Sequence, residues 1–239
     1  MQIRSHAQAL LSALRKRATM AVLAHRVRAR NPTLIAHPTA IWDYGYSDLD
    51  ALEIGQNVSV GPFAEIIVYH SSPHSDVPGR LILGNRSVIA TGCDIRAAGG
   101  TIRIGDGSVV SQYNVLIAAN HVIRPGEPRI HGRWDESDRR GVDIGSNVWA
   151  GARCVFLPGT VVGNDAVIAA GSVVRGTVPP GELWGGVPAR RIKTVGDQRD
   201  QSGLARFASL ESIPALGQDF PDQANKSRPD RSERSKKKI

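Results

Sequence analysis

His121 is the residue of this sequence that is best placed to do chemistry. It follows the segment Ala-Ala-Asn, which ends a run of regularly spaced apolar residues, and it begins a long polar segment. An imidazole titrates near neutral pH, so it can take a proton from a hydroxyl group and act as a general base. A lone histidine usually has no special role. His121 is a candidate because it lies at the junction between the regularly spaced apolar segment and the polar segment.

The two cysteines, Cys93 and Cys154, are weaker candidates for chemistry. They lie far apart, at positions that small residues occupy in the regularly spaced segments. Such positions indicate buried free thiols rather than a disulfide or a metal site. The sequence shows no convincing constellation of serine or cysteine with a base that would predict a covalent intermediate.

The elements that must position His121 follow a six-residue period. Apolar anchors recur at this interval in the second half of the chain: Ile144, Ala150, Phe156, Val162, Ile168 and Val174. A second, smaller residue follows four positions after each of the first five anchors: Val148, Cys154, Thr160, Ala166 and Ser172. Shorter blocks with the same register precede them: Ile54–Val60–Ile66, Leu83–Ile89–Ile95 and Ile104–Val110–Leu116.

This period predicts an all-β protein built as a parallel β-helix. Each hexad supplies a short strand and a tight turn, and three hexads close a coil of about 18 residues. Glycines beside the anchors are expected at the corners, where the backbone needs an unusual φ or close packing. The period alone leaves the handedness of the helix open.

Two interruptions of the period mark excursions from the helix. One lies between Ile66 and Leu83, and the larger one corresponds to an excursion loop at residues 121–142. Irregular loops on a rigid repeat are the natural places for a functional site. Three acidic residues of the larger loop are candidates to orient His121: Glu127, Asp135 and Glu136.

The basic character of the chain belongs to its ends. The formal net charge is +8, yet residues 1–30 and 225–239 together hold fourteen Arg and Lys against two acidic residues. We therefore expect no nucleic-acid partner for the central part. We expect residues 1–36 to form a basic helical segment that caps the solenoid or contacts another subunit. We expect residues 196–239 to form a polar, disordered tail. Either end could touch anionic lipid peripherally.

The hydropathy pattern predicts a cytoplasmic protein. Arginines and lysines interrupt the apolar residues near the N-terminus, so they form no signal-peptide segment. No stretch of the sequence is long and apolar enough to predict a membrane span.

Three segments resemble a known family. They are similar to segments of the hexapeptide-repeat acyltransferases. The three segments are Asn120-His121, DIGSNVWAGARCVFLPGTVVGNDAVIAAGSVV at 143–174 and VPPGELWGGVPARRIK at 178–193. The group concerned contains maltose and galactoside O-acetyltransferases and the acetyltransferases of surface-polysaccharide clusters. The resemblance covers roughly residues 50–195. Its motifs are specific for the superfamily but not for the substrate.

The resemblance implies a fold, an assembly and a reaction. The fold is a left-handed β-helix over residues 37–195, and the assembly is a homotrimer with acyl-CoA bound between subunits. The reaction is transfer of an acetyl group from acetyl-CoA to a hydroxyl of a sugar or surface-polysaccharide precursor, with no metal. His121 matches the family's general base, and backbone N–H groups would stabilise the oxyanion.

The resemblance also implies a CoA site. Trp149 matches the tryptophan at the thioester end, although it could equally be an ordinary corner residue. Ala152, Ala170 and Arg175 fall where relatives contact the pantetheine arm. Arg190 and Lys193 match basic residues that meet the CoA phosphates, and solvated surface charge is the alternative for this pair.

The sequence departs from the family where the acceptor should bind. Sugar acetyltransferases have an asparagine near the position of Asp94 and Cys93, so acceptor identity does not carry over. We expect Asp94, Asn120 and Trp134 at the acceptor, with the indole stacking on a sugar ring. Ala150 replaces the family's usual isoleucine, which would loosen the core or widen the acyl pocket.

Other functions on the same scaffold remain open at this point. Sugar-nucleotide N-acyltransferases and serine O-acetyltransferases share the repeat and the CoA site. A solenoid without catalysis is less favoured. A metal enzyme like the γ-class carbonic anhydrases would need three histidines on adjoining coils, and the spacing of the available ones does not match: His70, His74, His121 and His131.

Overall fold

The computed structural model describes Leu14 and residues 18–43, 49–126, 132–135, 137 and 139–196. A helix, α1, occupies residues 18–30, and a short 3-10 helix follows at Leu49–Ala51. The strands follow in chain order: β1 (Ile35–Ala36), β2 (Ile41–Asp43), β3 (Leu52–Ile54), β4 (Ser59–Val60), β5 (Glu65–Tyr69), β6 (Arg80–Leu83), β7 (Val88–Ile89), β8 (Asp94–Ala98), β9 (Thr101–Ile104), β10 (Val109–Val110), β11 (Val115–Ile117), β12 (Val142–Ile144), β13 (Trp149–Ala150), β14 (Val155–Phe156), β15 (Thr160–Val162), β16 (Val167–Ile168), β17 (Val173–Val174), β18 (Thr177–Val178), β19 (Glu182–Gly186) and β20 (Ala189–Thr194).

These strands form three parallel sheets that are the three sides of a left-handed β-helix. Sheet A has the order β1-β4-β7-β10-β13-β16-β19-β20, sheet B the order β17-β14-β11-β8-β5-β2, and sheet C the order β18-β15-β12-β9-β6-β3. Trp149 pairs with Val167, eighteen positions later, so one coil takes three hexads in the regular part. The predicted all-β parallel β-helix is confirmed.

The predicted anchors form the core. In sheet B the anchors Ile66, Ile95, Leu116, Phe156 and Val174 lie in register on successive strands. Each of them is at most 1% exposed. Burial of such aliphatic columns removes apolar area from water, which stabilises the solenoid along its whole length.

Ala150 also points into this core, with no exposed surface. The same coil carries Phe156, which is fully buried as well. This coil combines a small buried anchor with a large one, and the expected effect on the core or the acyl pocket stays a prediction. The replacement of the family's usual isoleucine by Ala150 therefore changes the interior of the solenoid and not its outer surface.

Helix α1 packs on the first coil. Leu23 and Val27 are buried in the same cluster as Ala40 and Trp42. Helix α1 is thus attached to the core, and its role as a cap stays a prediction. β1 begins at Ile35, two residues before the boundary predicted at residue 37.

The ends of the chain are described only in part. Of the tail predicted at residues 196–239, only Gly196 is among the described residues, and residues 1–13 and 15–17 also lie outside them. Within the described part, no helix combines the length and the apolar character needed to cross a bilayer.

The three corners between the sheets differ in sequence. The polar corner, between sheets C and A, has short turns: Gln56–Asn57, Asn85–Arg86, Asp106–Gly107, Ser146–Asn147, Asn164–Asp165 and Pro180–Gly181. The A–B corner also has short turns: Pro62–Phe63, Thr91–Gly92, Gln112–Tyr113, Ala152–Arg153 and Ala170–Gly171. The loop corner, between sheets B and C, contains both excursions, at residues 70–79 and 118–141, with Gly99–Gly100 between them.

Corner glycines have two separate roles. Gly145 and Gly163 begin turns of the polar corner, and a Cβ on either would overlap the backbone of the following coil. Gly107 and Gly171 instead have φ of +66° and +73°, with open space around them. Glycine is thus required at some turns because the next coil packs closely, and at others because the backbone has a left-handed conformation.

Candidate active site

The loop corner brings the two excursions together. Residues 70–79 leave the helix after β5 and residues 118–141 leave it after β11, so they start two coils apart on the same corner. Coil spacing in a parallel sheet is about 4.8 Å, which places the two loops roughly 10 Å apart at their bases. Between them the third coil turns with only two glycines.

The base of the larger loop is closed like a pair of antiparallel strands. His121 and Trp134 form an isolated antiparallel bridge. The backbone N–H of Asp135 donates to the carbonyl of Asn120 at 2.7 Å. His121 is thereby held at the mouth of the loop, where the sequence predicted it.

The two loops also contact each other. The backbone N–H of Trp134 donates to the carbonyl of His74 at 2.9 Å. The rings of these two residues have centroids 5.8 Å apart and planes tilted by 34°. The guanidinium of Arg133 lies 2.9 Å from Oδ2 of Asp76. The sequence did not pair these residues, since about sixty positions separate them.

His121 is exposed, and its ring lies edge to face with that of Trp134, with centroids 6.5 Å apart and planes at 85°. Within the described residues the imidazole has no hydrogen-bond partner. Of the acidic residues predicted to orient it, Asp135 uses Oδ1 to accept from the backbone N–H of Ser137. Glu127 and Glu136 lie outside the described residues. An accessible imidazole of this kind can take a proton from a bound hydroxyl.

Asp94 lies on the outer face of sheet B, away from His121. It is the first residue of β8 and stands in register with Val115, while His121 comes six residues after Val115, beyond the end of β11. Oδ2 of Asp94 accepts from Nε of Arg96 at 2.9 Å. Oδ1 is buried and has no hydrogen-bond partner among the described residues. The structure therefore does not gather Asp94 and His121 into one site of a single chain.

The predicted CoA residues lie mostly on sheet A and the A–B corner. Trp149 is a strand residue of β13 rather than a corner residue, and its side chain is 56% exposed. Its Nε1 donates to Oγ of Ser111 at 3.2 Å. Ala152 and Ala170 are neighbours on the A–B corner, where the N–H of Gly171 donates to the carbonyl of Ala152. These three positions form one continuous surface.

The predicted basic residues are divided between two places. Arg190 and Lys193 belong to β20, the antiparallel strand that pairs with β19. Arg190 is exposed and Lys193 is half-buried. Arg175 follows β17 on the loop corner, two coils beyond the one that carries His121. The chain thus separates Arg175 from the other predicted CoA residues.

A groove of about 450 Å³ lies on the outer face of sheet C. Its charged lining includes Arg103, Arg140 and Asp143, and Arg103 contacts Asp143 at 3.8 Å. The groove contains none of the site residues predicted from the sequence.

Both cysteines are buried and free, as predicted. Burial raises the pKa of the Cys93 thiol to about 11, and it raises the pKa of Cys154 as well. A thiol that stays protonated at neutral pH is a poor nucleophile. Neither residue is suited to form an acyl-enzyme.

No group of three His, Cys, Asp or Glu side chains in the described part of the chain could hold a metal ion. Of the histidines considered for such a site, His131 lies outside the described residues. His74 and His121 flank Trp134 instead of converging on a common point.

The comparisons with known proteins identify the repeat. The family model described as bacterial transferase hexapeptide (six repeats) matches residues 141–176. Galactoside O-acetyltransferase of Escherichia coli is 37% identical over 114 residues, which are 44% of this chain and 56% of that protein. The mitochondrial gamma carbonic anhydrase 1 of Arabidopsis thaliana is 28% identical over 161 residues, which are 61% of this chain and 58% of that protein.

A crystal structure of a maltose O-acetyltransferase from Clostridium difficile 630 is 26% identical, with a TM-score of 0.50. The similarity covers 61% of this chain and 71% of that one. The chain spans little more than half the length of the curated relatives named above, so their activities do not transfer to it directly.

Proposed function

Because this chain is a hexapeptide-repeat protein with the repeat of the bacterial transferases, we propose that it transfers an acetyl group from acetyl-CoA to a hydroxyl of a sugar or surface-polysaccharide precursor. The observation that carries the proposal is the exposed imidazole of His121 at the mouth of the loop corner. The galactoside and maltose O-acetyltransferases among the similar proteins support a sugar as the acceptor. A cytoplasmic location is part of the proposal, because acetyl-CoA is the proposed donor.

The proposed chemistry is a direct transfer. A nitrogen of His121 takes the proton of the acceptor hydroxyl, and the oxygen attacks the thioester carbonyl of acetyl-CoA. Backbone N–H groups stabilise the oxyanion of the tetrahedral intermediate. The C–S bond then breaks, the sulfur of CoA takes the proton from His121, and the acetyl ester is released. The burial of both cysteines supports a route without an acyl-enzyme.

The residues of the proposed site are divided between two surfaces of the chain. Trp149, Ala152 and Ala170 lie on sheet A and the A–B corner, whereas His121 lies on the loop corner. These surfaces belong to different corners of a triangular solenoid. We therefore propose a homotrimer in which the loop corner of one subunit faces the A–B corner of its neighbour.

In this arrangement Trp149 flanks the thioester, and Ala152, Ala170 and Arg175 contact the pantetheine arm. Arg190 and Lys193 meet the CoA phosphates, whose charge a pair of cations stabilises. The acceptor would contact Asn120, beside the base, and Asp94. For Trp134, stacking on the sugar is one role and orientation of His121 is the alternative, and substitution of Trp134 distinguishes them. The division of these residues between corners supports contributions from two subunits.

The test is transfer of labelled acetyl from acetyl-CoA to a panel of acceptors. The panel contains galactosides, maltose, polysaccharide fragments and an amino-sugar nucleotide, so that ester and amide products are distinguished. We expect ester formation, and His121→Ala should lower kcat/KM by about 10²- to 10⁴-fold, the usual contribution of a general base. His25→Ala is the matched control, because His25 is also exposed but lies on helix α1, outside both corners.

Two results would contradict the proposal. One is full transfer by His121→Ala, and the other is a product formed only with the amino sugar. Light scattering tests the assembly independently, since a trimer has three times the 25.6 kDa mass of the chain. A monomer at working concentration would remove the site between subunits.

A further inference from the structure

The ring of Trp134 lies against Gly99, in a position (the seat) that is open only because residue 99 has no side chain. A Cβ on Gly99 would lie 2.7 Å from Cε3 of this ring and 3.2 Å from Cβ of Ala119. Gly99 also has φ of +66°, a conformation that side chains rarely adopt. The narrow turn of the third coil thus lets the indole lie directly against the solenoid.

Contacts from three successive coils hold Trp134 in this seat. The carbonyl of His74, from the excursion of the second coil, accepts its backbone N–H. Gly99 belongs to the third coil. His121, from the excursion of the fourth, forms the antiparallel bridge with it. The indole is half-buried, and it lies beside Gly99 and the ring of His74.

His121 is restrained by this indole. The two rings are nearly perpendicular, at 85°, with centroids 6.5 Å apart, which is within the range of favourable aromatic pairs. The χ2 torsion of a histidine is broad, so an exposed imidazole without hydrogen bonds has little preference of its own. Among the described residues, Trp134 is the aromatic contact that limits the orientation of His121.

We propose that Trp134 is a positioning residue that holds the imidazole of His121 in its productive orientation, an inference that rests on the proposed role of His121 as the base. The usual partner in such a role is a carboxylate. Among the described residues, the aromatic partner of His121 is the indole that lies against Gly99. Orientation of a base before reaction lowers the barrier of the chemical step. The contribution therefore belongs to kcat.

This role differs measurably from sugar stacking. A stacking residue contributes to the affinity for the acceptor, so its loss raises the acceptor KM. A positioning residue leaves the acceptor affinity in place, and its loss lowers kcat.

Substitution of Trp134 distinguishes the two roles. We expect Trp134→Leu to lower kcat about tenfold, with both KM values unchanged within twofold, because the imidazole would lose the aromatic contact that orients it before the chemical step. Trp134→Phe should retain most of the kcat, since a smaller ring can still occupy the seat. A loss confined to the acceptor KM would overturn the proposal.

A second variant tests the seat without changing Trp134. Gly99→Ala should displace the indole and lower kcat as Trp134→Leu does. Gly107→Ala is the matched control, because Gly107 has the same φ of +66° but nothing within 4 Å of the added Cβ. Equal effects of the two alanines on kcat would show that backbone strain, and not the indole, is responsible.

A spectroscopic measurement separates this inference from the proposed function. The Cε1–H resonance of His121, assigned by its absence in His121→Ala, should shift in Trp134→Leu and in Gly99→Ala but not in Gly107→Ala. If no acceptor is acetylated and this shift is observed, the proposed function fails while the contact stands. If transfer occurs but neither the resonance nor kcat responds to Trp134→Leu, Trp134 does not position His121.

Discussion

The polar corner and the loop corner belong to the same coils yet are stabilised in different ways. At the polar corner, side chains bond along the solenoid axis. The backbone N–H and the side-chain amide of Asn85 donate to the two carboxylate oxygens of Asp106, and Oδ1 of Asn85 accepts from the backbone N–H of Gln56. At the loop corner, the second and fourth coils leave the solenoid, and their excursions contact each other through Trp134 and His74.

The difference shows how a repeat protein divides stability and chemistry. A turn that repeats identically can satisfy its polar groups with the same turn one coil away, and such a ladder supports every coil it joins. A loop that leaves the repeat gives up this support. In return it can bring an imidazole to the surface in a specific environment, as at His121.

The largest effect that tests this comparison is expected at Gly145 of the polar corner. A Cβ on Gly145 would lie 2.8 Å from the backbone nitrogen of Asn164 and 3.0 Å from the carbonyl oxygen of Val162. It would also overlap Oδ1 of Asn164. Since backbone cannot move aside easily, Gly145→Ala should cost about 3 kcal/mol of unfolding free energy. Thermal denaturation measures it, with acetyl transfer per folded molecule unchanged within twofold.

Gly107→Ala is again the control, on the same corner. Its cost is the left-handed conformation alone, about 1–2 kcal/mol. If Gly145→Ala is no more destabilising than Gly107→Ala, the coils do not pack as closely at this corner as the structure indicates.

A moderate effect is expected at Asp106, which joins two coils. Its Oδ1 accepts from the backbone N–H of Asn85 at 2.9 Å, and its Oδ2 accepts from the side-chain amide at 3.1 Å. Asp106→Ala should lose about 1 kcal/mol, because the donors can turn to water on this exposed surface. Asp106→Asn keeps one acceptor and should lose roughly half of that. Chemical denaturation of the three proteins would refute the ladder if Asp106→Ala were as stable as the parent.

The smallest effect is expected for the ion pair between the two excursions. Arg133 and Asp76 are 2.9 Å apart, with side chains 51% and 87% exposed. Exposed pairs contribute little, so Arg133→Ala should change the unfolding free energy by less than about 0.5 kcal/mol. Asp76→Ala is the reciprocal control. A loss above about 1 kcal/mol in either variant would mean that the loops support the solenoid, contrary to the comparison.

The sequence predicted most of the fold because the period acts on buried residues. Every sixth residue from Ile144 to Val174 faces the core, and one missed register would expose an anchor. The corners were less predictable. Phe63 and Tyr113 have φ of 56° and 60°, which local preference disfavours for bulky residues. We attribute this conformation to the stacking of adjacent coils, and the neighbouring residues in the sequence do not predict it.

The candidate site was predicted in part. The break in the period located His121, while its neighbours Trp134 and His74 lie in separate loops whose contact depends on the closed solenoid. A usable signal did exist. Both interruptions follow a hexad of sheet B, which means that they leave from the same corner, and the Gly99–Gly100 turn between them leaves room for contact. The residue pairings themselves require the three-dimensional structure.

The end of sheet A has a consequence for self-association. A parallel β-helix that simply stopped would offer a flat row of unsatisfied strand edges to the end of another molecule. Here β19 is followed by β20, which runs back antiparallel and presents Arg190, Arg191 and Lys193. The final strands of the other two sheets, β17 and β18, are only two residues long. Short and charged edges discourage pairing with another chain, so we expect the hairpin to oppose end-to-end association of the described solenoid.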